Sequence, residues 1–108
     1  MKNFDIFKEK GYHAAEKLLD LKTRPPVIYT NGDEVAGGIF KYALSRNYTI
    51  PDDLAILGQE NQPIGTGLDI STVDHQLIKV GETAFDLAIA KSREKVKIPY
   101  VLIQRSSV

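Results

Sequence analysis

The stretch "VIYTNGDEVAGGIF", residues 27 to 40, decides the fold. Val27 to Thr30 is short, β-branched and apolar on both faces, the pattern of a central parallel strand. It breaks at Asn31-Gly32-Asp33, and a small-residue segment follows with Val35, Ile39 and Tyr42 or Ala43 at helical spacing. Asp33 stands at the expected N-cap of that helix, which runs to about Arg46, and Asn47 suits its left-handed end.

Working outward, similar elements alternate on both sides. Upstream, Tyr12, Ala15, Leu18 and Leu19 fall at helical spacing between lysines and glutamates, so Lys8 to Leu21 reads as an amphipathic helix that "KTRPP" terminates. Downstream, Leu54 to Gly58 and Ile70 to Val73 are apolar strands, and the glycine-rich loop "QENQPIGTGLD" between them shows no helical period. Leu77, Val80, Ala84 and Leu87 mark a helix reaching about Arg93, and Tyr100 to Gln104 is the last strand. This order predicts an α/β fold, a mainly parallel sheet flanked by helices.

Composition excludes several functions. At 108 residues and 43% hydrophobic, the chain has room for one small domain. Fourteen basic residues balance fourteen acidic ones without a run of either sign, so the chain alone is not expected to bind DNA or a membrane surface. With no cysteine there is neither a disulfide framework nor a thiolate metal site, and no apolar run approaches the ~20 residues of a membrane span. A cytoplasmic protein is the expectation.

In open α/β sheets ligands gather at the carboxyl ends of strands. Three polar loops leave such ends: Asn31-Gly32-Asp33, Gln59-Glu60-Asn61 and Asp74-His75-Gln76. Each residue has a plain reading beside a functional one. Gly32 serves backbone geometry or lets a ligand approach, and Asp33 is a cap before it is a ligand. Glu60 is a solvated loop acid or a carboxylate for hydroxyls or a cationic group, and His75 is a half-buried satisfied histidine or a donor and acceptor for a ligand. His13 belongs to a helix surface. Catalysis finds no support: the two histidines have no metal-ligand spacing, and "GTGLDI" lacks the third glycine and helix of a dinucleotide site. No cofactor or metal is expected.

The stretches "GYHAAEKLL", "RPPVIYTNGDEVAGGIFKYALSRNYTIPDDLAILGQEN", "ISTVDHQLIKVGETAFDLAI" and "VLIQRSSV", in this order, resemble the C-terminal part of the effector-binding region of LacI/GalR-type transcriptional repressors, from about Asp5 to Val108. The resemblance implies the periplasmic-binding-protein-like (type I) fold. It places residues 1–74 in the C-terminal subdomain core, 75–95 in a helix belonging to the other subdomain, and 98–108 in a returning strand. It puts Gly32 and Asp33 at the family's effector turn, Glu60 where the family has an effector-bonding aspartate, and His75 at a hinge position. Ile6, flanked by Phe4 and Phe7, takes the place of an effector-stacking aromatic.

The function implied is the ligand-binding and dimerising part of a repressor that senses a sugar or related metabolite, with DNA reached only through a helix-turn-helix that this chain lacks. A fragment of a free sugar-binding protein and a small α/β enzyme are the rival expectations. With one wall of the cleft and an orphaned helix stripe, the chain is expected to self-associate.

Overall fold

Why the opening stretch folds as it does is visible in the computed structural model, which describes residues 2–108, with side chains from residue 7 onward. The elements are α1 (Lys2–Leu19), β1 (Val27–Tyr29), α2 (Asp33–Ser45), β2 (Ala55–Gln59), α3 (Pro63–Gly67), β3 (Ser71–Asp74), α4 (Leu77–Ile89) and β4 (Val101–Ile103). The sheet order is β1-β2-β3-β4, with β1, β2 and β3 parallel and β4 antiparallel to β3. The expected mainly parallel α/β sheet is therefore present, but β1 is an edge strand. Only Ile28 is buried there, while Val27 and Tyr29 remain 51% and 59% exposed, so the continuous apolar run does not mark a central strand.

Helix α2 lies against β2, and α1 packs along α2. Their approach is backbone to backbone: a Cβ on Gly38 would lie 2.0 Å from the Lys8 carbonyl oxygen, and one on Gly11 would lie 2.2 Å from that of Val35. The core they close contains Ala15, Leu19, Ile28, Ala36, Ile39, Tyr42, Ala43, Leu54, Ile56 and Ile70. Within it the Tyr42 hydroxyl donates to Asp20 at 3.4 Å, and the Arg46 guanidinium lies 5.4 Å from the ring centroid. Burial pushes the Tyr42 hydroxyl above its ordinary pKa, against the lowering influence of Arg46.

Helix ends follow local chemistry. Asn47 is left-handed at φ 62°, and the amides of Asn47 and Tyr48 return to the carbonyls of Leu44 and Ala43 at 3.1 and 2.9 Å, closing α2 as a Schellman motif. At the other end the N-cap is Gly32, not Asp33, and no side chain of that residue caps the helix. The loop expected to be irregular contains α3, with Pro63 in its first turn supplying a pre-set φ. Five residues are too few for a hydrophobic period to show.

Beyond the sheet the chain changes character. Ser107 is buried where β2 and β3 begin: its hydroxyl donates to the Ile56 carbonyl at 2.5 Å and accepts from the Ser71 amide at 2.8 Å. By contrast α4 has no buried residue, and Leu77, Ile78, Phe85 and Ile89 are each more than 60% exposed. The helix projects from the body, giving extents of 56 × 29 × 23 Å and a radius of gyration of 16.8 Å, against about 13 Å for a compact chain of this length. Its two connections leave side by side, because Asp74 pairs with Val101 in the β3-β4 register and the Gln76 side-chain amide donates to the Pro99 carbonyl at 2.5 Å.

Candidate functional site

The parallel strands all deliver their carboxyl ends to one rim, and Asp33 organises it. Turned inward from the start of α2, Asp33 is fully buried. One carboxylate oxygen accepts from the Gln62 amide at 2.6 Å and the other from the Thr72 hydroxyl at 2.8 Å. Thr72 in turn accepts from the Asn61 backbone amide at 3.2 Å. One side chain thus ties the β1-α2 turn to the β2-α3 loop and to β3. It needs glycine on both flanks, since a Cβ at Gly58 or Gly65 would lie 2.0 or 2.5 Å from a carboxylate oxygen. Asp33 is therefore neither a cap nor exposed to a ligand: its oxygens are engaged by the protein.

The loop it holds presents Glu60 outward. Glu60 and Asn61 are both left-handed, at φ 87° and 54°, and the Glu60 amide donates to the Val73 carbonyl at 2.8 Å. The Asn61 side chain is held from both sides: its carbonyl accepts from Arg105 at 2.8 Å, and its amide donates to Asp74 at 3.3 Å. Between these fixed neighbours the Glu60 carboxylate is exposed and, among the described residues, meets no donor or cation.

Two open cavities share Glu60. A smaller one, about 200 Å³, is lined by Phe7, Asn31, Gly32, Glu34, Val35, Glu60 and Gln62. A wider one, about 520 Å³, is lined by Glu60, Asn61, Asp74, Gln76, Leu77, Ile78, Lys79 and Glu82. A further depression of about 430 Å³, among Lys8, Glu9, Tyr12, His13 and Lys41, shares no residue with the strand-end loops.

The residues singled out in the sequence divide accordingly. Gly32 and Glu60 meet at the smaller cavity. His75 lines neither: its Nε2 lies 2.6 Å from the Gln59 side-chain amide, so the two side chains are hydrogen-bonded to each other. The side chain of Ile6 lies outside the described residues, and the aromatic in the cavity wall is Phe7, one position on. Asn31 and Asn61 lie in strand-end loops marked in the sequence, whereas Glu34 and Gln62 escaped the sequence reading. Polar composition marks their loops, but nothing local separates a cavity wall from a solvated turn. His13, as expected, sits on an exposed helix face beside Glu16 at 3.3 Å.

Comparison with known proteins places this geometry. The periplasmic binding protein-like domain family matches residues 4–108. The chain is 38% identical over 109 residues to the NTD biosynthesis operon regulator NtdR of Bacillus subtilis (strain 168), covering 92% of this chain and 33% of that protein. Among solved structures it resembles a LacI family transcriptional regulator from Bifidobacterium animalis subsp. lactis, at TM-score 0.84 and 25% identity over 93% of this chain and 40% of that one. A LacI family transcriptional regulator from Lactobacillus casei with bound glucose gives TM-score 0.79 and 26% identity over 94% and 39%. The chain thus spans about a third of the curated relative's length. It belongs to the periplasmic binding protein-like domain family, in the form that family takes in LacI-type transcriptional regulators.

Proposed function

We propose that this chain forms one wall of the effector cleft of a LacI-type transcription regulator and that Glu60, beside the open backbone of Gly32, contacts a small polyhydroxylated effector. The observation that carries the reading is Glu60 itself: a carboxylate fixed at the backbone by a left-handed pair and a strand hydrogen bond, with its oxygens free in a cavity at the strand ends. Such a group accepts from adjacent hydroxyls, and Phe7 and Val35 supply apolar wall. The glucose held by the Lactobacillus casei relative supports a sugar or sugar-like ligand. His75 acts through Gln59, steadying the end of β2 at the crossing toward α4.

In this reading α4 belongs to a second subdomain. Effector binding between the subdomains changes the affinity of the whole regulator for DNA in the cytoplasm, through a DNA-binding part outside this chain. The bare apolar face of α4 favours a second property, self-association of the isolated chain.

An amide-resolved NMR titration of the ¹⁵N-labelled chain with glucose and sucrose tests the cleft. The expected result is shifts at Gly32, Glu60 and Asn61 that weaken in Glu60→Gln. Sugar-dependent shifts confined to other parts of the chain, or none at all, would refute it.

A further inference from the structure

The cleft of the proposed function can be read one step further, to the charge of its ligand. A phosphate at strand ends is ordinarily held by free amides at helix starts or by basic side chains. Here the protein has already supplied an acceptor at each start. At α2 the Glu34 amide donates to the Gln62 side-chain carbonyl at 3.3 Å. At α3 the Gln62 amide donates to Asp33 at 2.6 Å, and at α4 the Gln76 amide donates to Asp74 at 2.7 Å.

Basic side chains do not make up the difference. The smaller cavity has two acidic residues, Glu34 and Glu60, the ring of Phe7, the amides Asn31 and Gln62, and, among the described residues that line it, no lysine or arginine. Neither of those carboxylates is in an ion pair among the described residues. The wider cavity sets Glu60, Asp74 and Glu82 against Lys79 alone. Arg105, the nearest guanidinium to the Glu60 loop in the bonding network, is spent on the Ile70 carbonyl and on Asn61, both at 2.8 Å. A dianionic ligand on this wall would meet unbalanced negative charge, and one amide at each helix start is already bonded within the protein. An ammonium group would meet carboxylates and the aromatic ring of Phe7, both of which can attract it.

We infer that this wall is built for a ligand carrying an ammonium group beside its hydroxyls, an amine-bearing polyol such as an amino sugar, and against a phosphorylated one. The inference rests on the cleft reading above. The strand ends and the cavity place the site; the carboxylates only choose among the ligands that could enter it.

The test is a parallel NMR titration of the ¹⁵N-labelled chain with D-glucosamine, D-glucose and D-glucose 6-phosphate at about pH 6, below the ordinary range of an amine. Glucosamine should bind about five- to tenfold more tightly than glucose, as read at Gly32, Glu60 and Asn61, and glucose 6-phosphate more weakly than either. High salt should reduce the glucosamine preference, and Glu60→Gln should bring the glucosamine-to-glucose ratio close to one. Equal affinity for glucose and glucosamine, or tightest binding of the phosphate, overturns the inference and leaves the cleft reading standing. If none of the three sugars moves these amides, the cleft reading falls and the inference with it.

Discussion

Replacing Gly58 with alanine puts a methyl carbon 2.0 Å from a carboxylate oxygen of Asp33 and 3.1 Å from its Cγ, where no real Cβ sits. The carboxylate must move, and moving it loosens its bonds to the Gln62 amide and the Thr72 hydroxyl. Overpacking of this kind costs about 1–3 kcal/mol, and each charge-assisted hydrogen bond is worth about 1.5–3 kcal/mol. Gly58→Ala is therefore expected to destabilise the chain by about 3 kcal/mol.

Asp33→Ala removes the acceptor of both bonds and should cost about 3–5 kcal/mol, a large part of a small domain's total stability of about 5–15 kcal/mol. In that background the obstacle to a methyl group at position 58 is gone. The nearest remaining atom of residue 33 is its Cα, at 3.4 Å, an ordinary contact. The double variant should then be little worse than Asp33→Ala, giving a coupling of about 2–3 kcal/mol between positions 33 and 58.

Urea unfolding followed by far-ultraviolet circular dichroism and by the fluorescence of the five tyrosines, with no tryptophan to mask them, measures all four chains. Added sodium sulfate keeps the weakest ones folded at zero urea. Asp33→Asn serves as a control: its amide can face Gln62 with oxygen and Thr72 with nitrogen, so it should cost only about 1–2 kcal/mol. If the two single costs add within about 0.5 kcal/mol in the double variant, Asp33 is not the group that makes glycine necessary at position 58.

Two further outcomes are expected. The folded state keeps the Tyr42 proton to higher pH than the unfolded chain does, so stability should be full below about pH 10 and fall as pH rises beyond it. Tyr42→Phe should flatten that alkaline loss in pH-dependent urea titrations, and an unchanged slope would rule Tyr42 out as its source. In light scattering coupled to size exclusion, the chain should run as a dimer or larger through the apolar face of α4, and Ile78→Lys with Phe85→Glu should shift it toward monomer. A monodisperse 12.0 kDa species from the unsubstituted chain would refute self-association.

The parts of the fold legible in the sequence were those announced by local pattern. Tyr12, Ala15 and Leu19 marked α1, the apolar runs marked the strands, and Asn47 marked the end of α2, because each signal acts within a few residues. What escaped depends on partners distant in sequence. Asp33 looked like a cap because caps are local, whereas its oxygens find donors at residues 62 and 72. Gly58 and Gly65 looked like strand and loop glycines, yet both yield space to that same carboxylate. The edge position of β1 was hidden for the same reason, since strand order is not written in any one strand. Of the residues lining the candidate cavity, Gly32 and Glu60 were named in the sequence through the strand-end rule and the family resemblance. Phe7 and Gln62 were missed because they reach the cavity from α1 and from the start of α3.

The paired exit of the chain toward α4 has a mechanical meaning. Two strands that leave together, hydrogen-bonded at Asp74 and Val101 and strapped by Gln76 to Pro99, form a narrow ribbon rather than a single thread. A thread lets whatever it carries swivel in any direction. A ribbon bends across its flat face more readily than sideways. What α4 carries is thus tied to the sheet at two points, and the inner edge of that ribbon is Asp74, bonded directly to Asn61 beside Glu60.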